Sequence, residues 1–260
     1  MKSKSPSSSH CVIIPSYNSG PLLQETVEAT LSVWRPVVVV VDGSNDGSES
    51  GVKQIAAQEP DLHVLVLEEN QGKGGAVFAA MEFALENGWT HAAVLDSDGQ
   101  HDAMDLTRFM EASMKYPDAM ILGVPLFGKE APKLRVLGRL IGNWWTHLET
   151  LWGGVEDSLF GFRVYPIVRS LHVMRGVIGG KRFDFDTQLA VRLYWSGAQP
   201  LNLPTRVRYR SKESGGVSHF KYFRDNFLLT IVHAWLVTQA FFRLPQLVKF
   251  RQRQKLRIPC

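Results

Sequence analysis

The chain has 260 residues, 45% hydrophobic and 21% charged, which fits a globular fold and excludes a low-complexity or fibrous one. Two cysteines, Cys11 in an apolar run and Cys260 at the end, exclude a disulfide framework and point to a reducing compartment. The net charge of +4 is concentrated at the carboxyl end, which excludes a surface coated for nucleic acid and favours one local anionic contact.

Residues 1–10 are rich in Lys, Ser and Pro without an apolar segment, and are expected to be a disordered lead rather than a signal peptide. Apolar runs at 11–15, 36–42, 62–67 and 91–96 read as strands. Between them, residues 21–33, 48–59 and 73–87 space their apolar side chains as helices do. Five consecutive valines at 37–41 mark a central strand covered on both faces. Strand, helix, strand at this rhythm predicts a mostly parallel α/β sheet with right-handed crossovers. A helix at 103–116 and a fifth strand at 118–122 continue it. Beyond residue 123 the rhythm changes to a loop at 123–133, an amphipathic helix at 134–152, strands at 161–165 and 201–208, and a helix at 186–196. No repeat or low-complexity linker interrupts the chain, so one catalytic-size domain is expected over 11–217.

Residues 218–260 are expected to form a C-terminal amphipathic helix and a basic tail. Twelve of the sixteen residues from 227 to 242 are apolar. As a helix they would reach ~24 Å, short of the ~30 Å hydrocarbon core. Thr230, His233, Thr238 and Gln239 interrupt them. A spanning helix is therefore not expected; lying in the membrane interface, packing on the domain and pairing with a second copy all stay open. After Asp225, the last acid, come Arg243, Lys249, Arg251, Arg253, Lys255 and Arg257; without these six, 23 bases face 25 acids, a net of −2.

Residues 96–101, Asp-Ser-Asp-Gly-Gln-His, follow an apolar run where a buried strand should end. An Asp-x-Asp pair there sends two carboxylates into the crevice at the sheet's carboxyl edge, where open α/β sheets bind ligands. Asp96, Asp98 and the amide of Gln100 suit Mg²⁺ or Mn²⁺ held partly by a substrate's phosphates. Turns after strands also favour Asp for local hydrogen bonds. Pro15-Ser16-Tyr17-Asn18 and Asp42-Gly43-Ser44-Asn45-Asp46-Gly47-Ser48 close the first two strands at the same edge. Asp42 is placed to accept from a base N–H and Tyr17 to line its pocket; alternatively Ser44, Asp46 and Ser48 cap the next helix. In the third loop, Asn70-Gln71-Gly72-Lys73-Gly74-Gly75-Ala76, glycines allow close backbone approach and the following helix offers free N–H groups to an anion. Its spacing fits neither the dinucleotide fingerprint nor the Walker pattern. Lys73 reads either as a phosphate or sugar contact or as a surface charge.

This ordered series resembles family 2 glycosyltransferases of the GT-A fold, and within them the dolichyl- or polyprenyl-phosphate sugar synthases. The resemblance continues through Asp157-Ser158-Leu159-Phe160-Gly161-Phe162-Arg163 and Arg182-Phe183-Asp184-Phe185-Asp186-Thr187-Gln188, covering roughly residues 11–210. It implies a nucleoside diphosphate-sugar donor held by Pro15, Tyr17, Asn18, Asp42, Lys73, Asp96 and Ser97. It also implies Mg²⁺ or Mn²⁺ at Asp96, Asp98 and Gln100, and a lipid or lipid-phosphate acceptor met by Lys129, Lys133, Arg135 and Arg139. Those four bases also suit a solvated helix face. Arg210, Lys212 and His219, in a Gly- and base-rich stretch, are candidate phosphate contacts on a mobile flap or on an exposed hairpin edge. Trp144, Trp145 and Trp152 suit core or interface packing, or a lipid groove.

The chain departs from the family pattern twice. The first of two acids usual at the second strand's end is Val41 here, and a usual Glu is Gln188. The candidate catalytic residues are Asp98, Asp157, Asp186 and Gln188, with Asp157 or Asp186 as base if the acceptor is a hydroxyl. A phosphate acceptor is already anionic and needs little deprotonation. The expected activity is inverting sugar transfer by an enzyme held peripherally on the cytoplasmic face of a membrane. A sugar nucleotidyltransferase and a non-catalytic nucleotide-sugar scaffold are the alternatives.

Overall fold

The computed structural model describes residues 6–128, 133–176, 182, 184–207 and 222–255, without side-chain detail at 133–135, 222–226 and 253–255. Seven strands and nine helices are found among these: β1 His10–Ser16, α1 Pro21–Val33, β2 Val37–Asp42, α2 Glu49–Ala56, β3 Leu62–Leu67, α3 Lys73–Glu86, β4 His91–Val94, α4 Asp105–Lys115, β5 Ala119–Leu126, α5 Lys133–Glu149, β6 Arg163–Pro166, α6 Ile167–Arg175, α7 Phe185–Trp195, β7 Gln199–Arg206, α8 Tyr222–Phe242 and α9 Leu244–Lys255.

They build one seven-stranded sheet in the order β3-β2-β1-β4-β6-β5-β7. The parallel pairs are β1 with β2, β2 with β3, β1 with β4 and β5 with β7. Among the described strands, only β6 runs against its neighbours, β4 and β5. Alternation along each strand sorts the core into two layers. Cys11, Ile13, Val38 and Val40 face α3, α6 and α7 through Val77, Met81, Leu171 and Leu189. Val12, Ile14, Val37, Val39 and Val41 face α1, α2 and α4 through Leu23, Val27, Val52, Leu106 and Phe109. The valine run is wholly buried, as a strand between two helical layers must be. Each buried valine contributes ~1.5–3 kcal/mol relative to an exposed one.

Several expectations shift. Residues 6–10, assigned to the lead, are ordered: Ser7 N donates to the Arg35 carbonyl at 2.8 Å, and His10 opens β1. Residues 1–5 lie outside the described residues. The loop expected from 123 begins later, because β5 continues to Leu126 alongside β7. The single C-terminal helix is two, α8 and α9, and the apolar part of α8 meets α9 at 78°. No single described helix is long and apolar enough to cross a membrane, although residues 227–242 and 244–252 together reach that length and composition. α8 lies on α5, with Leu229, Leu236 and Ala240 buried. There His233 Nδ1 meets Glu149 Oε1 at 2.7 Å.

Candidate active site

The chain order reverses between β1 and β4, and β1, β2 and β4 end on one edge there, the position at which an α/β sheet opens a ligand crevice. The first two loops are tied together. Asn18, at φ 49° in the left-handed region that Asn tolerates, donates its N–H to Ser44 Oγ at 3.0 Å. Its Oδ1 accepts from Asn45 N at 2.9 Å. Asp46 Oδ2 accepts from Gly20 N at 2.8 Å, and its Oδ1 accepts from Ser48 N and Oγ. Ser44 and Asp46 thus fasten loop to loop, and Ser48, the N-cap of α2, makes no side-chain cap bond. A chain of hydroxyls, Ser16 to Ser19 at 2.9 Å and Ser19 to Ser97 at 2.7 Å, joins the first loop to the loop after β4. Pro15 is buried in β1 opposite Val40, whereas Tyr17 is exposed.

Asp42 holds the third loop. Its Oδ1 accepts from Gln71 N at 2.7 Å and its Oδ2 from Gly72 N at 2.8 Å. Burial pushes this carboxyl upward, and the two N–H donors reduce the push without cancelling it. Both oxygens, expected to face a nucleobase, are thereby committed to the backbone, each keeping one further lone pair. Gly43, at φ +62°, lies so close to the Asn70 backbone that a Cβ would overlap it.

Lys73, the first residue of α3, reaches inward. Its Nζ lies 2.6 Å from Asp96 Oδ1 and 2.6 Å from Asp186 Oδ2, so it is no surface charge. Burial disfavours its cation, but the two carboxylates more than compensate and raise its pKa. Asp186 Oδ1 is buried with no hydrogen-bond partner among the described residues. Burial likewise opposes the charge on Asp96, but Lys73 and the His101 ring, 3.3 Å away, hold its carboxyl well below the usual range. Asp98 is pushed up, first by burial and then by the Asp96 carboxylate.

Asp96, Asp98, Gln100 and His101 line a cavity of about 70 Å³ with Arg139, Phe127, Leu159, Phe160, Gly161 and Val207. Gly161 leaves the space Asp96 needs, since a Cβ there would overlap its carboxylate. Among the described residues, no three His, Cys, Asp or Glu side chains form a ready-made metal site. Two carboxylates on one cavity still fit a divalent cation that takes its remaining oxygens from a donor's diphosphate.

The other candidate catalytic residues are engaged. Asp157 Oδ1 accepts from Arg139 Nη1 at 2.7 Å and from the N–H groups of Leu159 and Phe160, and its Oδ2 accepts from Asn143 Nδ2 at 3.2 Å. Gln188 Nε2 donates to Asp184 Oδ2 at 2.8 Å, while its Oε1 accepts from Arg192. Sequence reasoning passed over Arg163, which is wholly buried. It donates to the carbonyls of Phe160 and Asp186, each at 2.6 Å, and to Tyr165 Oη at 3.0 Å. The signal was present, because an Arg amid Phe-Gly-Phe and Val-Tyr can be satisfied only by carbonyls or acids brought to it by the fold. Lys129, Arg210, Lys212 and His219 lie outside the described residues; Lys133 and Arg135 are in α5, with their side chains outside them.

A parallel sheet with paired carboxylates at its switch point is the frame of a nucleotide-sugar transferase. The profile of Glycosyl transferase family 2 matches residues 11–164, and the chain belongs to that family: it is a glycosyltransferase of the GT-A fold. It is 28% identical over 227 residues to the undecaprenyl-phosphate mannosyltransferase of Micrococcus luteus, across 79% of this chain and 87% of that one. It is 26% identical over 212 residues to the polyprenol monophosphomannose synthase of Mycolicibacterium smegmatis, across 78% of each. These relatives are of the polyprenyl-phosphate sugar synthase branch. Among solved structures, the mannosyltransferase PcManGT of Pyrobaculum calidifontis, in complex with GDP-Man and Mn²⁺, has a TM-score of 0.56 at 18% identity, covering 94% of this chain and 77% of that one. Glucosyl-3-phosphoglycerate synthase of Mycobacterium tuberculosis, in complex with Mn²⁺ and UDP-glucose, has a TM-score of 0.57 at 14% identity, covering 79% and 73%.

Proposed function

We propose that this enzyme moves a hexosyl group, with inversion, from a nucleoside diphosphate-sugar to a polyprenyl-phosphate-like lipid at the cytoplasmic face of a membrane, using Mg²⁺ or Mn²⁺. The donor's diphosphate lies over Asp96, Asp98 and Gln100, beside the loops that carry Tyr17, Asn18 and Asp42. A cation bound there would offset negative charge on the departing nucleoside diphosphate. An acceptor phosphate oxygen forms the new bond to the anomeric carbon as the bond to the diphosphate breaks, and the nucleoside diphosphate leaves with the electron pair. Such a displacement rests on positioning together with neutralisation of the leaving group's charge.

The observation that carries the acceptor reading is the engagement of Asp157 and Asp186. Asp157 accepts from four donors, Asp186 is ion-paired with Lys73, and neither lines the cavity on which Asp96 and Asp98 stand, so neither is placed to take a hydroxyl's proton there. A phosphate monoester needs no such base. Arg139, on the cavity beside Asp157, is a cation for its charge. Membrane attachment is supported by α5 and α8, which pack together and yet keep Leu140, Trp144, Ile231, Trp235 and Phe242 exposed. The basic α9, which carries Lys249 and Arg251, supports it as well.

The test is incubation with polyprenyl phosphate and a panel of GDP- and UDP-linked sugars, following label into the lipid extract. Lipid-linked sugar and free nucleoside diphosphate, both lost in EDTA, are expected. Pyrophosphate as product, transfer only to hydroxyl acceptors, or full turnover in EDTA contradicts the corresponding part.

A further inference from the structure

We propose that the Lys73 ammonium is the resident counter-ion of the donor site, occupying Asp96 while no donor is bound and yielding it when the divalent cation arrives. This rests on the metal reading of Asp96 and Asp98 given above. It adds a competitor for that metal, built into the chain.

Two acids, Asp96 and Asp98, line this crevice, and a third, Asp186, is joined to Asp96 through Lys73. Lys73 bonds two of them at 2.6 Å each, and no ion pair to Asp98 is found among the described residues. A divalent cation on Asp96 and Asp98 must approach the oxygens of Asp96 closely, and the ammonium already lies in contact with one of them. Two cations so close, at side chains only 21% (Lys73) and 31% (Asp96) exposed, repel more strongly than in open water. One must withdraw.

Lys73 is the one with somewhere to go. Its flexible stem starts at the first residue of α3, flanked by Gly72, Gly74 and Gly75, which put no side chain beside it. Asp186 keeps a second oxygen, Oδ1, buried and without a hydrogen-bond partner among the described residues. Lys73 can therefore turn about Asp186 and satisfy that oxygen as it leaves Asp96. The ammonium offsets part of the crevice's negative charge when it is empty, and the switch costs the cation part of its affinity.

Mn²⁺ titration followed by the EPR signal of the free ion, without donor, tests this on the full chain. Lys73→Met is expected to bind Mn²⁺ about tenfold more tightly than wild type, since its competitor is gone. Asp98→Asn is expected to lose Mn²⁺ binding. If Lys73→Met binds no tighter than wild type while Asp98→Asn still abolishes binding, the Lys73 proposal falls and the metal reading stands. If neither wild type nor Lys73→Met binds Mn²⁺, the Lys73 proposal falls, and the metal reading is then judged by transfer in EDTA. A measurement on the unaltered enzyme covers misfolding of the variant: acylation of Lys73 by an amine reagent, read by mass spectrometry. Lys73 should be protected without cation and react several-fold faster with saturating Mg²⁺; an unchanged rate overturns the proposal.

Discussion

The side-chain amide of Gln188 bridges two charges of opposite sign, donating to Asp184 Oδ2 at 2.8 Å and accepting from Arg192 Nη2 at 3.2 Å. A carboxylate could accept from Arg192 but could not donate to Asp184. Restoring the acid usual in the family therefore sets two carboxylates one helical turn apart. Gln188→Glu is expected to destabilise the protein by ~1–2 kcal/mol and to leave turnover no higher. Urea denaturation with a parallel transfer assay reads both; a more active, equally stable variant would refute this account.

Asp157 acts as a clamp. Removing it leaves Arg139, whose side chain is 15% exposed, without its carboxylate and deprives two backbone N–H groups of their acceptor. Asp157→Ala should cost about 3 kcal/mol or more, as breaking a buried pair does. A dedicated general base would instead lose activity with its stability intact, so chemical denaturation separates the two roles.

His10 makes acid stability measurable. Its ring is stacked on His91 at 4.6 Å and shares a hydrogen bond with Ser113 Oγ. Burial first, and His91 second, lower its pKa from 6.5 to about 4. The native state thus favours the neutral ring, while the unfolded chain takes up a proton below about 6.5. This contribution to stability is complete above that pH and is lost as pH falls toward 4, by at most about 3 kcal/mol. Urea midpoints measured from pH 7 to 4.5 should fall steeply for wild type and less steeply for His10→Asn. Parallel slopes would exclude His10 as the source.

For membrane attachment, Trp235 and Phe242 on α8 are 60% and 78% exposed, so replacing both with Glu should change stability by no more than ~0.5 kcal/mol for each. Sedimentation with anionic vesicles should show severalfold weaker binding. Removing α8 altogether would be a poorer test, because it would take away the buried Leu236 and leave the Glu149 carboxylate without its His233 partner.

The first half of the fold was legible because β1 to β4 are apolar runs separated by amphipathic helices, and each ends in a polar loop that only a sheet edge would require. β6 was expected as a strand at 161–165, but its antiparallel direction was not legible, since four residues, Arg-Val-Tyr-Pro, carry no sign of direction. α6 follows it directly from Pro166, with no loop to mark its start. α9 was masked by its charges, which read as a tail although Leu247 is buried. At the site, the spacing of Asp96 and Asp98 placed both on one cavity. The reach of Lys73 to Asp186, 113 positions away, is set by tertiary packing, and local sequence holds no trace of it.

Arg163 gives the crevice a stiff side and a pliant side. One buried guanidinium grips the peptide groups at Phe160 and Asp186, so the segments bearing Asp157 and Asp186 are riveted to the same strand and must shift together or not at all. Accommodation of differently shaped sugars then falls to the opposite rim, where loops are laced by single hydrogen bonds of serine, asparagine and aspartate. Engineering altered donor choice should begin at that rim, because edits beside the rivet would loosen both acids at once.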